Sequence, residues 1–559
     1  MSAFRESYLG YQQLTEQLRA WADEYPEHLR LHSIGKTEEG RDIWLVEVGR
    51  DLDRKRPSIW VDGNMHACEL AGSSVAMAII EDVLAVHRGE LVLPAPIRER
   101  VLEVPFCVVP RVSPDGAEAV LTSARYVRSV PRRRSHQDDR PHWVREDIDG
   151  DGMSLMMRIE DPAGTFVECP EHPGLMLPRR IEDPGPYYKI FPEGHVAHYD
   201  GDNLPDPMFL SDNRTDLNRN FPFSWRAEHE QIGSGDYPGS EPESRALMEA
   251  ATARPELFAW INLHCFGGVF IRPLGDKPDN KMNLSDLAVF KQLAQWADEL
   301  TGYPMVSGFE EFTYEPDSPI HGDLSDWAYN YRGCVAYVVE LWDLFRRIGM
   351  ERPKKFVDYY RNISRDDLIR LAEWDREHNH GRVFLPWRKH EHAQLGDVEI
   401  GGIDFRVGIW NPPYDELPYI CRSQSAMTMR VAALAPALEI EIETTKQGDS
   451  TTIEVKVANH GYLPTHVLDS SKPLAHNQEL VVVARSTDSG VSIRPEVETI
   501  GHLDGWGRGL GTGVGMPAYL PDRGSGNRQV RRLVATGSGP LTVRVGSPRT
   551  GWIEKELEL

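Results

Sequence analysis

Apolar positions in the first 390 residues recur at two spacings that take turns along the chain. Leu14, Leu18 and Trp21 lie four and three residues apart, which predicts an amphipathic helix near the start. The run SIWVD at 58–62 predicts a short buried strand, and a Gly/Asn turn leads from it into a helix over 70–86. Further strands are predicted at 104–110 (VPFCVVP), 257–263 (LFAWINL) and 335–342 (VAYVVELW). A helix is predicted at 286–300, where Leu287, Phe290, Leu293 and Ala297 share one face. Strands alternating with helices imply an α/β domain built on a largely buried sheet.

Between about 130 and 213 the alternation stops, and Pro, Gly, Asp and Arg dominate. Trp143, Phe166, Tyr187, Tyr188 and Phe191 within it predict an ordered, irregular insertion that covers a surface. Toward the C-terminus the pattern becomes strict alternation: Leu438, Ile440 and Ile442 interleave with Glu439, Glu441 and Glu443, and Ile453, Val455 and Val457 with Glu454 and Lys456. The expected division is therefore an α/β domain over 1–392 and an all-β, sandwich-like domain over 393–559. The glycine ladder at 505–515 (GWGRGLGTGVG) lacks the P-loop pattern and reads as a loop.

The 559 residues exceed what one core accommodates, in keeping with two domains. With 40% hydrophobic and 26% charged residues, the chain is neither a rod nor wholly disordered. A net charge of -24 argues against nucleic acid as a partner. No run reaches the length of a membrane span, and the N-terminus lacks a basic region followed by an apolar stretch, so a cytoplasmic protein without a removable leader is expected. The six cysteines, with no C-x-x-C spacing, are expected to be reduced thiols, which disfavours a disulfide framework and a thiolate zinc site.

The first chemical signal is His66-Ala-Cys-Glu69, just past the strand SIWVD and at the entry of a helix. Side chains at the carboxyl end of a sheet strand can converge on a metal while leaving a position open. Taken alone, the pair is as readily a capping histidine beside an unrelated glutamate. His264, ending the apolar run LFAWINLH, is the best third ligand, its alternative being a buried core histidine. Glu340 interrupts VAYVVELW, where a carboxylate either reaches the sheet end or is desolvated at large cost, and it is the candidate base for a metal-activated water. The pairs His378/His380 and His390/His392 lie in polar surroundings and are expected to be solvated.

Residues 6 to about 345 resemble the zinc carboxypeptidase family, the carboxypeptidase A-like metallopeptidases. The matching stretches, in the family order, are HACEL, SPDG with ARYVR, DLNRNFP, SEPESRAL, INLHCFGG and DWAYNYRGCVAYVVELWD. The resemblance implies a mixed central sheet flanked by helices, and one catalytic Zn²⁺ held by His66, Glu69 and His264. It further implies Glu340 as general base and then proton donor, and Arg128 as the group polarising the scissile carbonyl. Asn218 and Arg219 match the pair that grips the terminal carboxylate of a peptide substrate. Each role suits its residue type: a planar guanidinium fork fits a carboxylate, and a second one can stabilise an oxyanion. The family's N-terminal inhibitory segment is expected to be absent.

Three departures from the family pattern stand out. The place of the substrate-capping tyrosine falls on Ser318, with Tyr314 the nearest tyrosine, either a substitute cap or a plain loop aromatic. The place that sets side-chain preference falls on Ser325, with Asp323 two residues earlier; Asp323 either favours a basic side chain or caps a helix. Asp147-Ile-Asp149-Gly-Asp151-Gly152 resembles calcium loops, although the twelfth position of such a loop is Arg158. The motif is therefore a candidate Ca²⁺ site or a solvated acidic turn. The expected function is a zinc metallocarboxypeptidase. The alternatives are a zinc amidohydrolase on a peptidoglycan stem peptide or N-acyl amino acid, and a catalytically silent binding protein.

Overall fold

A computed structural model describes residues 2–132, 140–207, 215–315, 318–510 and 524–559. Its centre is an eight-stranded sheet ordered Leu29–Lys36, Asp42–Val48, Phe106–Val109, Ser58–Gly63, Leu257–Cys265, Val335–Leu341, Val269–Arg272, Met305–Ser307. The four consecutive strands from Phe106–Val109 to Val335–Leu341 run parallel, and antiparallel neighbours flank them. The sheet is mixed, as the resemblance implies. Ser58–Gly63 and Leu257–Cys265 are buried along their whole length, which explains why they read as continuous apolar runs.

Helices Tyr11–Glu24, Ala71–Arg88 and Leu284–Thr301 form where the spacing predicts them. Trp60, Trp260 and Trp327 meet in the core, the first two stacked at 4.9 Å and the second pair edge-on at 5.6 Å. Among the described residues no helix is long and apolar enough to cross a membrane.

The insertion is not irregular. Its strands Met156–Glu160, Phe166–Glu168, Met176–Pro178 and Tyr188–Pro192 join the distant hairpin Phe384–His392/Gly396–Ile403 in a six-stranded sheet. Trp143, Met157, Phe191, Val398 and Ile400 form its own small core. These strands of three to five residues are too short to show a period, and the strand they need is far away in the chain.

The domain division expected at 392/393 falls in the turn of that hairpin. Helix Leu417–Ala432 also packs into the main core, through Leu417, Ile420, Cys421 and Met427. The sandwich starts at Leu438, with two four-stranded antiparallel sheets closing over Ile453, Val455, Val457, Leu480, Val482, Leu533, Val543 and Val545. His392 is buried rather than solvated: its Nε2 donates to the Gly194 carbonyl at 2.8 Å and its Nδ1 accepts from the Gln394 and Leu395 amides. His378 and His380 are exposed and His390 is half-buried. The glycine ladder forms no helix up to Leu510, and its residues 511–515 lie outside the described residues.

The sandwich packs on the main body through Tyr462, Leu463, Val467 and Leu468, and one of its buried side chains reaches the central sheet. Arg549, 1% exposed, sends Nη1 to the carbonyls of Leu257 (2.7 Å) and Arg332 (2.9 Å), and Nη2 to that of Gly333. These carbonyls lie at or just before the amino ends of Leu257–Cys265 and Val335–Leu341. Arg549→Ala should remove the charged donor from all three carbonyls, leaving the Arg332 carbonyl to His476 and the Leu257 carbonyl to the weak Cys334 thiol, and lower stability by about 3 kcal/mol. A urea-unfolding midpoint equal to that of the parent would contradict this.

Candidate metal centre and catalytic cavity

The turn after Ser58–Gly63 delivers two donors. Asn64, at φ 56°, donates its side-chain amide to the carbonyls of His66 (2.8 Å), Ala67 (3.2 Å) and Glu69 (3.2 Å), and so pins the loop between strand and helix. Strand and helix touch here: a Cβ on Gly63 would lie 2.5 Å from the Gly72 carbonyl oxygen, so only glycine fits. His264 comes from the carboxyl end of the next strand, and in the register of Leu257–Cys265 with Val335–Leu341 it stands beside Glu340.

His66, Glu69 and His264 are all buried, and one donor atom from each lies within 4.8 Å of the others. His66 Nδ1 is 2.8 Å from Glu69 Oε1 and 3.0 Å from His264 Nδ1, and His264 Nδ1 is 3.1 Å from Glu69 Oε2. Donors around one tetrahedral zinc, each about 2.0–2.1 Å from it, sit roughly 3.3 Å apart, so this set fits the ion with little movement. Two imidazoles and one carboxylate with an open position are also the donor chemistry of catalytic zinc.

The opposite ring nitrogens fix the tautomers. His66 Nε2 faces Asp216 Oδ1 at 3.1 Å, and His264 Nε2 is in close contact with Asn262 Oδ1. With the proton on Nε2, each Nδ1 lone pair points at the cluster. Asn262 in turn donates to Asp62 Oδ1, and the indoles of Trp60 and Trp260 donate to Asp62 Oδ2 at 3.1 and 2.6 Å. Burial pushes the Asp62 carboxyl up to about 7, against these donors. Burial would also raise Glu69, but the His66 and His264 rings hold it well below the usual carboxylate range. Asp216, likewise buried, is held low by Arg128, Arg219 and His66.

One cavity of about 440 Å³ gathers every site residue expected from sequence: His66, Glu69, Arg128, Asn218, Arg219, His264, Tyr314, Asp323, Ser325 and Glu340 all line it. Arg128 Nε donates to Asp216 Oδ2 at 3.0 Å and its Nη1 reaches Glu69 Oε1 at 3.4 Å. Asn218 Oδ1 accepts the Leu324 amide at 2.9 Å, and Arg219 Nη1 bonds the Asn218 carbonyl at 2.8 Å. Burial, then the Glu69 charge, raises the Glu340 carboxyl well above the usual range, opposed by Arg128; a cation between them would reverse that push.

Ser318 is exposed and does not line the cavity, whereas Tyr314 does and feels the charges of Glu340, Arg128 and Arg219. Asp323 both faces the cavity and caps the helix Leu324–Asn330, its Oδ1 accepting the Asp326 amide at 3.0 Å. The SEPES stretch is structural, since Glu241 and Glu243 clamp the Arg132 guanidinium.

The calcium reading is not supported. Asp147, Asp149 and Asp151 are close enough to share an ion, but they accept the loop's own amides: Gly150 and Gly152 on Asp147, Asp151 on Asp149, Met153 on Asp151. Arg388 already supplies their cation, pairing with Asp149 at 3.2 Å and closely with Asp151.

Asp216, Asn262 and Asp62 are absent from the sequence-based expectations. Two of them left a sign in the sequence: Asn262 is a polar residue two positions before His264 on an apolar strand, and Asp62 interrupts the apolar run of the neighbouring strand.

A model of the zinc carboxypeptidase family matches residues 14–153 and 205–362, and a second, described only as a domain of unknown function, matches 438–558, the sandwich. Carboxypeptidase B of Astacus astacus is 22% identical over 352 residues, spanning 60% of this chain and 87% of that protein. A zinc carboxypeptidase of Saccharothrix mutabilis subsp. capreolus is 29% identical over 120 residues, 21% of this chain and 27% of that protein. The crystal structure of thrombin activatable fibrinolysis inhibitor superposes with a TM-score of 0.43 at 15% identity, covering 77% of this chain and 75% of that one. With the family model covering more than half of the residues, the chain belongs to the zinc carboxypeptidase family.

Proposed function

We propose that this protein is a metallocarboxypeptidase that hydrolyses the amide bond next to a free carboxylate. The observation that carries the reading is the convergence of a tight two-histidine, one-glutamate donor set, a carboxyl base and two guanidiniums on one cavity. A zinc ion held by His66, Glu69 and His264 would polarise the scissile carbonyl and lower the pKa of a bound water. Asn218 and Arg219 bind the substrate's terminal carboxylate, and Arg219 spends only one Nη on the Asn218 carbonyl. Arg128, oriented by Asp216, donates to the oxygen that gains charge as the carbonyl carbon becomes tetrahedral. Glu340 takes the proton from the attacking water and passes it to the departing amine. Tyr314 covers the cavity from the loop where the family's usual cap position is vacant.

The departing side chain sits by Asp323 and Ser325. Arg272, on the same wall, has its charge met by Asp279 at 2.6 Å, so Asp323 supplies the unmet charge and favours a basic C-terminal residue. The six cysteines are buried free thiols, which supports a reducing compartment.

Glu340→Gln should lower kcat by at least about 100-fold while one zinc per chain remains by elemental analysis. Retained turnover would remove the base from the mechanism. Asp323→Asn should cut the ratio of kcat/KM for C-terminal Lys over Leu about tenfold, and an unchanged ratio would assign Asp323 to helix capping alone. A peptide library that yields no released C-terminal residue, with cleavage confined to cell-wall peptides or absent, would favour the non-protein amide or silent readings.

A further inference from the structure

The cavity has a flank that the family match does not account for. The match ends at residue 362, yet Ile363, Ile409 and Trp410 line the cavity with Phe266 and Tyr360. We propose that the segment 404–416 builds a subsite for an apolar, aromatic-sized group on the acyl side of the scissile bond, with Trp410 as its specificity-determining residue. This rests on the carboxypeptidase reading above.

Placement supports the assignment. Trp410 packs edge-on against Phe266 at 5.3 Å and lies 5.9 Å from Tyr126, so it stands beside the strand end that carries His264 and the stretch that carries Arg128. Asn218, Arg219 and Asp323 form the charged flank that receives the carboxylate and the departing residue. The remaining half of the substrate therefore leaves past the metal donors toward Phe266 and Trp410. A charged side chain there would be desolvated against aromatic rings, whereas a phenyl or isobutyl group gains burial.

The wall is rigidly tied to the metal loop. The Trp410 amide donates to the Phe405 carbonyl at 3.0 Å and the Gly408 amide to the Asn411 carbonyl at 2.7 Å, which closes the segment on itself. Asn411, fully buried, accepts the Ala71 amide at 2.9 Å and donates to the Cys68 carbonyl at 2.8 Å, bracketing Glu69. Arg406 is paired with Asp404 and donates to the Leu121 carbonyl at 3.2 Å. A subsite anchored in this way is preformed, which reduces the ordering cost of binding.

The test uses the full chain loaded with zinc and two peptides, acetyl-Ala-Phe-Lys and acetyl-Ala-Gly-Lys, that differ only in the penultimate residue. The parent should cleave the Phe peptide with a kcat/KM about tenfold or more above the Gly peptide. Trp410→Ala should collapse that ratio toward one and Trp410→Phe should largely keep it, with zinc content and melting temperature reported for each. A ratio near one in the parent, or a Trp410→Ala ratio equal to the parent's, overturns the subsite. Ile409→Ala, expected to lower the ratio more modestly, decides the matter if Trp410→Ala does not fold. Calorimetry of the same peptides on Glu340→Gln separates the two readings. Binding of neither peptide, with no turnover in the parent, would fail the carboxypeptidase reading, whereas equal binding of both would fail only the subsite.

Discussion

Three parallel strands held in one register set the position of the three metal-donor candidates and of Glu340. Ser58–Gly63, Leu257–Cys265 and Val335–Leu341 run side by side, so that Asn262 stands opposite Asp62 and His264 opposite Glu340. Parallel strands open their carboxyl ends on the same side, and the loop leaving the first of them brings His66 and Glu69 to that opening. A one-residue slip of the middle strand would turn His264 to the other face of the sheet. The stacked Trp60 and Trp260, whose indoles both bond the buried Asp62, tie the side chains to that register.

Charge is managed locally against a strongly acidic background. The chain carries -24, yet its cavity concentrates Arg128, Arg219 and Arg272. Two of the three already have carboxylate partners, Asp216 for Arg128 and Asp279 for Arg272, so they are oriented before any ligand arrives. Half-buried guanidiniums held by carboxylates in this way need little reorganisation when negative charge appears nearby.

Legibility in the sequence followed element length and the range of the contacts involved. The long strand Leu257–Cys265 and the helices Tyr11–Glu24 and Leu284–Thr301 show enough of a period to be read directly. The insertion strands do not, because each has only three to five residues and their sheet is completed by Gly396–Ile403, which pairs with Met156–Glu160 from more than two hundred residues away. The same reason hid the true start of the sandwich: residues 396–403 look like part of the β-rich end but complete the insertion's sheet. At the site, the donors and Arg128, Asn218 and Arg219 were visible as motifs. Asp216, the first residue of DLNRNFP, gave no sign of its role, and Asn262 and Asp62 showed only as polar residues in apolar runs, whose partners appear once the fold brings them near. The acidic loop misled because its spacing suits a cation, while the cation that meets it, Arg388, is remote in sequence.

The seat of Arg549 bears on how the chain can be divided. Its guanidinium fills the amino ends of the two strands whose far ends hold His264 and Glu340, so the sandwich closes the foot of the same sheet that opens into the cavity. A fragment ending before Leu438 would present bare carbonyls at that foot. The sandwich thus lends a side chain to the end of the sheet that lies opposite the cavity, and the two cores share that seam.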